Sequence, residues 1–218
     1  VAGETDITNI YTLDGSNNLT VAAGKELFVA ASHSFAPGAN VITPSLDIRG
    51  TYTQGTSTLN VSGNFAIADG GTFTKASGAQ ALTLDGTGNL TDSNTTKQDL
   101  GAVTVDGTAA VRTLTTAVKM TSLTIGTDDT FSLAGNAFSF SAAAAVVNNG
   151  TFQLQGSETL TNVNNLDIDT GLVKYVGTSG PYTLKAFTGA DYYDLEINGT
   201  GATFNGVASL DIDRHFTL

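Results

Sequence analysis

The feature that most constrains the fold is a short pattern in which two apolar residues flank one polar residue. A period of two places both apolar side chains on one face of a strand and the middle residue on the other. Gly, Asn or Asp follows many of these triplets and supplies turns. The pattern predicts an all-β chain of short strands. Eight clear examples are 19–21, 46–48, 82–84, 103–105, 123–125, 166–168, 195–197 and 210–212.

The triplets recur at a nearly constant distance of about 20 residues. Leu82 to Val103 is 21 residues, and Val103 to Leu123 is 20. A strand and a return at this spacing predict a β-solenoid (parallel β-helix), whose coils share one core. About 11 coils at 4.8 Å predict a rod roughly 50 Å long. An antiparallel β-sandwich or jelly roll stays open as the alternative, because seven Asp-Gly or Asn-Gly dipeptides are potential hairpin turns.

A longer period overlies the coils. Leu46 matches Leu123, Gly71-Thr72-Phe73 matches Gly150-Thr151-Phe152, and other matches in the same order imply an insertion near 170–187. Pro37 and Pro44 interrupt the rhythm before residue 46. We therefore divide the chain into an N-terminal set of coils or cap-like segment, two related repeat units and the start of a third unit, at 1–45, 46–122, 123–209 and 210–218.

The segment 109–120 lacks Gly and Pro and is the one stretch that competes as a helix. Its Thr and Val residues are β-branched, which lowers helix propensity and favours strands. We therefore predict strands in this segment.

The composition excludes several classes of protein. Twenty acidic and nine basic residues give a net charge of −11, which argues against binding nucleic acid. The absence of Cys excludes disulfides and thiolate metal sites. No apolar run is long enough to predict a membrane-spanning segment. Only 13% of residues are charged, while Thr (35), Asn (16) and Ser (15) are abundant, which fits an extracellular or cell-surface protein.

The residues that could carry catalysis are few. His33 and His215 are the two histidines, and neither lies in a metal-binding spacing. No Gly-x-Ser-x-Gly motif occurs. Arg49, Arg112 and Arg214 are the three guanidinium groups, and Arg49 and Arg214 follow matching Leu-Asp-Ile triplets, so we expect both to pair with nearby Asp residues. The chain is not predicted to be an enzyme.

Alternating carboxylates suggest calcium as the one possible cofactor. Asp167 and Asp169 alternate with apolar residues, as do Asp211 and Asp213, so both pairs are expected to point outward from strands. Outward carboxylates on neighbouring coils are weak candidates for Ca²⁺ ligands. Asp128-Asp129 is a third acidic pair. The alternative is a solvated acidic face that keeps the rod soluble.

Three further patterns concern the surface. Thr-x-Thr pairs occur at 51/53, 56/58 and 72/74, and we do not expect them to recur at a fixed coil position, which argues against ice binding. Tyrosines around the insertion are expected to be exposed, at Tyr175, Tyr182, Tyr192 and Tyr193. Six Asn-x-Ser/Thr sequons are glycosylation candidates: Asn18, Asn60, Asn89, Asn94, Asn149 and Asn198.

Segments such as SLTIGTDDTFSLAGNAFSFS and VVNNGTFQLQGSETLTN resemble the β-solenoid repeats of large bacterial and archaeal surface proteins. These families include filamentous-haemagglutinin-like adhesins, autotransporter passenger stalks and S-layer-associated repeat proteins. The resemblance covers most of 46–218 and is compositional. It implies a β-solenoid fold and a cell-surface location.

The chain finishes at 211–218 on the opening of another repeat, without a polar capping segment. An uncovered solenoid end exposes strand edges that template further pairing. We expect an extracellular filament or surface-layer subunit that binds copies of itself head to tail. The alternative is a stalk or binding module of an adhesin, in which the insertion near 170–187 contacts a host surface or glycan.

Overall fold

The computed structural model describes residues 11–13, 18–78, 80–187 and 189–218. In these residues the chain forms 26 strands and no helix. In chain order they are β1 (Tyr11–Leu13), β2 (Asn18–Val21), β3 (Leu27–Val29), β4 (Ser34–Phe35), β5 (Asn40–Thr43), β6 (Leu46–Ile48), β7 (Thr51–Thr53), β8 (Leu59–Val61), β9 (Phe65–Ile67), β10 (Thr72–Thr74), β11 (Leu82–Leu84), β12 (Gly88–Asp92), β13 (Ala102–Val105), β14 (Val111–Leu114), β15 (Val118–Met120), β16 (Ser122–Ile125), β17 (Thr130–Ser132), β18 (Phe138–Ala144), β19 (Val147–Asn148), β20 (Thr151–Leu154), β21 (Leu160–Val163), β22 (Leu172–Tyr175), β23 (Tyr182–Thr183), β24 (Tyr192–Ile197), β25 (Phe204–Asn205) and β26 (Ile212–Thr217).

The strands form a solenoid with three sides. Sheet A contains β1, β2, β5, β8, β11, β13, β16 and β19, and sheet B contains ten strands from β3 to β26. The third side is built from three short sheets: C (β4, β7, β10), D (β15, β18, β21) and E (β23, β25). Each turn of the early solenoid runs from sheet A to sheet B and then to the third side.

The predicted solenoid is confirmed, with about nine turns of roughly 21 residues rather than 11 coils. Turn length varies along sheet B, from 19 residues between Leu46 and Phe65 to 25 between Phe65 and Leu90. The pairings among the described strands are parallel except that β1 runs antiparallel to β2, so the sandwich alternative is wrong. Residues 109–120 contain β14 and β15, as predicted.

The core lies between the three sides and is lined by the apolar members of the triplets. Leu46 and Ile48 are fully buried while Asp47 between them faces outward, as the period of two predicts. Aromatic rings continue the core along the rod, for example Phe131 and Phe152 on adjacent strands with ring centroids 6.0 Å apart. Neighbouring turns therefore share one core, and no single turn buries its apolar side alone.

The long-period alignment does not join equivalent strands. Leu46 lies in sheet B and its match Leu123 lies in sheet A, while Phe73 of sheet C was matched to Phe152 of sheet B. The matches therefore reflect a strand pattern common to all three sides, and the structural repeat is the single turn. Residues 18–45 form turns of the same solenoid, since β3 continues sheet B through β6.

The architecture changes after residue 148. Sheet A ends with β19, whereas sheet B continues through β20, β22, β24 and β26. On the third side, sheet D ends at β21 and sheet E begins at β23. The predicted insertion near 170–187 coincides with this change.

Candidate functional site

The acidic pair at 167 and 169 does not have the predicted geometry. Residues 166–168 form no strand, and Asp167 adopts a left-handed backbone conformation with φ of 78°. Its carboxylate is buried and accepts a hydrogen bond from Asn148 N at 2.7 Å, while Ile168 is 38% exposed. The expected outward orientation of Asp167 is therefore wrong, because its carboxylate satisfies backbone groups of the preceding turn.

The side chains of Asp167 and Asp169 interact directly. Burial opposes the ionisation of Asp167, but hydrogen bonds from the Asp169 side chain and from nearby backbone N–H groups outweigh it and lower the pKa of Asp167. The same hydrogen bond and the charge of Asp167 raise the pKa of the exposed Asp169. At this position the pair acts as a hydrogen-bonded unit rather than as two free carboxylates.

The other predicted carboxylates lie apart from this pair. Asp211 and Asp213 are exposed at the start of β26, and Asp211 N donates to Asp191 at 3.0 Å. Asp129 is buried and accepts from Gly107 N and Ala110 N, so it closes a turn, whereas Asp128 is exposed. Across the described ranges no group of three or more His, Cys, Asp or Glu residues is arranged to hold a metal ion.

The histidines and two of the arginines lie on the surface. His33 occupies a turn, and His215 Nδ1 lies 3.2 Å from Asp194 Oδ1. The expected pairing of Arg49 and Arg214 with nearby aspartates is confirmed: Arg49 contacts Asp47 at 3.0 Å, and Arg214 contacts Asp194. These are ion pairs on the outside of sheet B.

Arg112 was not expected to be buried. Its side chain is fully buried inside the solenoid, where the guanidinium donates to the carbonyl oxygens of Val61 and Gly63. Burial lowers the pKa of Arg112 to about 10, while the charge of Asp85 acts in the opposite direction. The alternation of β14 contains the signal that was missed, since counting back from the buried Leu114 places residue 112 on the inner side.

The tyrosines near the insertion do not form an exposed aromatic surface. Tyr175 and Tyr192 are fully buried, and their hydroxyl groups lie 2.9 Å apart. Tyr192 also donates to Lys185 O, and Lys185 N donates to Tyr175. The expectation of exposure is therefore wrong for Tyr175 and Tyr192. Tyr182 packs on Phe204. The hydroxyl groups of Tyr175 and Tyr192 instead hold the backbone at Lys185 against the core.

Two of the three Thr-x-Thr pairs do recur at one coil position, contrary to expectation. Thr51 pairs with Thr72 and Thr53 pairs with Thr74 in sheet C. The array therefore spans two strands, β7 and β10. The preceding strand β4 has Ser34 opposite Thr51, and the third Thr-x-Thr pair lies outside the sheet.

Two shallow clefts lie where sheet D ends. One has a volume of about 590 Å³ and is lined by 163–165 and by Ala186 and Phe187, and a smaller one of about 350 Å³ adjoins Glu158. The carboxylate of Glu158 accepts hydrogen bonds from Gln155 N, Gly156 N and Gly135 N and is therefore occupied by the backbone. The described residues that line the clefts include no histidine and no paired carboxylates suited to acid–base chemistry.

The six sequons differ in accessibility. Asn89, Asn149 and Asn198 are exposed, and Asn18 and Asn60 are half-buried. Asn94 is buried, with its amide nitrogen donating to Gly71 O and Asp92 and its oxygen accepting from Gly70 N. Asn94 is therefore a structural residue in the fold rather than an accessible acceptor.

We expect Asn94→Ala to lower the free energy of unfolding by about 2 kcal/mol, because it removes the hydrogen bonds that the buried side-chain amide makes with Gly70 N, Gly71 O and Asp92. The exposed Asn89→Ala is the control, expected within about 0.5 kcal/mol of the parent chain. Urea unfolding followed by circular dichroism measures both. Equal effects of the two substitutions would contradict this role of Asn94.

The two ends of the described solenoid present strand edges. At the N-terminal end, β1 covers β2 of sheet A, while β3 and β4 are the edge strands of sheets B and C. At the C-terminal end, β26 and β25 are the edge strands of sheets B and E. No family model, curated protein or solved structure matches this chain. The described residues also contain no helix that is long and apolar enough to cross a membrane.

Proposed function

We propose that this chain is an extracellular structural protein whose solenoids join head to tail to build a filament or a surface layer. A regular rod with a continuous core supports a mechanical role. The scarcity of Lys and the abundance of Thr and Asn support an extracellular location. The geometry of the strand edges is the observation that carries the proposal.

The edges at the two ends belong to the same two sides of the rod. Sheet B and the third side are open at both described ends, whereas sheet A is covered by β1 at one end and stops at β19 towards the other. A second copy therefore continues two ladders at once, with β3 placed beside β26 and β4 beside β25. Such a contact is heterologous and does not close, so it produces a filament.

Apolar side chains accompany these edges. Phe216 lies in register with the buried Leu195 and Val173, yet it is 51% exposed. At the opposite end Leu27 and Phe35 are half-buried against the core. Joining the ends buries these side chains, and apolar burial is the main driving force for association.

Phe216→Lys is expected to raise the concentration needed for assembly at least tenfold, because a charge on an edge strand opposes edge-to-edge pairing. Val111→Lys is the matched control: Val111 is also an exposed apolar residue of sheet B, but it lies on an interior strand. Negative-stain microscopy and sedimentation velocity measure assembly. Single 218-residue rods that never polymerise would contradict the proposal and favour the adhesin stalk instead.

A further inference from the structure

The outer surface of sheet A differs from that of sheet B, the other long sheet, because it carries no charge on its strands. The seven strands from β2 to β19 contain no Asp, Glu, Lys, Arg or His. One column of outward side chains crosses all seven strands in continuous register. Its members are Thr20, Ile42, Asn60, Thr83, Thr104, Thr124 and Val147.

Sheet B provides the contrast. Its outward positions include Asp47, Lys174, Asp194 and Glu196. The whole chain has a net charge of −11, so two copies repel each other on average. A neutral face is where two such rods approach with the smallest electrostatic cost.

Two members of the column are apolar and exposed. Ile42 is 39% exposed and Val147 is 49% exposed, near the two ends of sheet A. Between them the column presents Thr and Asn, whose side chains are short. The face is therefore uncharged and partly apolar, and depletion of charged residues is typical of the centre of a protein interface.

We propose that the outer face of sheet A is a lateral contact between two copies of this chain, which lie side by side with parallel long axes. This contact goes beyond the end-to-end joint proposed above and does not require it. Its partner is a second copy of the same face in an isologous arrangement.

The charges at the two borders of sheet A select the parallel arrangement. The turns from sheet A to sheet B carry the exposed Asp106 and Asp128. The opposite border is neutral overall, since Lys75 is paired with Asp99 there. Rods with parallel axes place each acidic border against the partner's neutral border. Antiparallel rods would bring the acidic borders of both copies together, which costs energy.

In the parallel arrangement each residue of the column faces the same residue of the second copy. Seven strands span about 29 Å, and the longest of them, with four residues, span about 13 Å, which gives at most about 380 Å² for each copy. This area is roughly half of the 800 Å² per partner in standard interfaces. We therefore expect a weak dimer that forms only at high protein concentration. Within a filament the same contact is repeated and strengthened.

The test uses charge complementarity at position 42 in sedimentation equilibrium. All proteins carry Phe216→Lys so that end-to-end assembly does not contribute. Ile42→Lys and Ile42→Glu are each expected to weaken self-association at least tenfold, because like charges then face each other. An equimolar mixture of the two is expected to form a 1:1 heterodimer at least as tight as the parent dimer.

A mixture of Val111→Lys and Val111→Glu in the same background is the control and is expected to show no such recovery, since Val111 lies on sheet B. Thermal melting checks that every variant remains folded. A parent chain that is monomeric at about 1 mM, or Ile42 variants that associate normally, would overturn the lateral contact. Antiparallel rods would place Ile42 opposite Thr124 of the second copy, so recovery only when Ile42→Lys is mixed with Thr124→Glu would overturn the parallel arrangement.

Discussion

Replacing Arg112 with methionine is expected to lower the free energy of unfolding by about 3 to 5 kcal/mol, the cost of removing one partner from a buried polar network. The Arg112 side chain extends from β14 past Gly88 of β12 to the carbonyl oxygens of Val61 and Gly63. A Cβ atom at Gly88 would lie 3.0 Å from Arg112 Nη1 and 2.5 Å from Gly63 O. The glycine thus leaves the space that this side chain occupies.

The cost has two physical sources. Methionine cannot donate the hydrogen bonds that satisfy two carbonyl oxygens, and an unsatisfied buried acceptor costs about 1 to 3 kcal/mol. The substitution also removes the positive charge that compensates the negative charge of Asp85. The Oδ1 atom of Asp85 is buried without a hydrogen-bond partner in the described part of the chain. We therefore expect Asp85→Asn, combined with Arg112→Met, to recover part of the loss, because the remaining carboxylate charge disappears.

Urea unfolding monitored by circular dichroism measures the Arg112 series. Arg49→Met is the matched control, since Arg49 also pairs with an aspartate but its side chain is 58% exposed. Its expected effect is within about 0.5 kcal/mol of the parent chain. An Arg112→Met variant within about 1 kcal/mol of the parent chain would show that the buried guanidinium is not needed for stability.

The period-two triplets and their 20-residue spacing were enough to predict the fold, because the core of a solenoid repeats one local pattern. The triplet at 46–48 behaves as predicted, whereas the triplet at 166–168 has the same pattern and forms no strand. In that second triplet Asp167 bonds to backbone N–H groups, including that of Ile168 at 2.8 Å, and such local bonds compete with strand pairing. Sheet A has already ended there, so no neighbouring strand enforces the extended form.

The candidate sites were harder to predict because residue type was given more weight than register. No position was predicted for Arg112, and arginine is rarely fully buried. Tyr175 was expected to be exposed, although it lies two residues after the buried Val173 on one strand. In both cases the alternation within the strand indicated the correct side. The side of the solenoid on which a strand lies depends on turn lengths, which the triplets do not encode.

Alkaline solution is expected to destabilise the chain through three buried tyrosines. Burial raises the pKa of Tyr175 to about 12 and also raises the pKa of Tyr52 and of Tyr192 above the ordinary value. An unfolded tyrosine ionises near pH 10. Because the folded pKa values are raised, their contribution to stability is fully present below pH 10 and is lost as pH rises towards the folded values.

At pH 11 each of these tyrosines favours the unfolded chain by about 1.4 kcal/mol, so the three together remove about 4 kcal/mol. The tyrosine contribution is isolated by substitution. Tyr192→Phe is expected to reduce the fall in unfolding free energy between pH 9 and pH 11 by about a third of the tyrosine contribution. It also removes the hydrogen bond to Lys185 O and so lowers stability at neutral pH.

Denaturant unfolding at pH 9, 10 and 11, together with tyrosinate absorbance, measures this dependence. Phe152→Leu is the control, because it weakens the same core without changing a tyrosine and should leave the pH dependence as in the parent chain. Equal pH dependence in Tyr192→Phe and the parent chain would contradict the role of Tyr192. A confirmed dependence would show that the hydroxyl groups of Tyr175 and Tyr192 stay protonated inside the fold. There they hold the backbone at Lys185 in place, in the part of the solenoid beyond the last strand of sheet A.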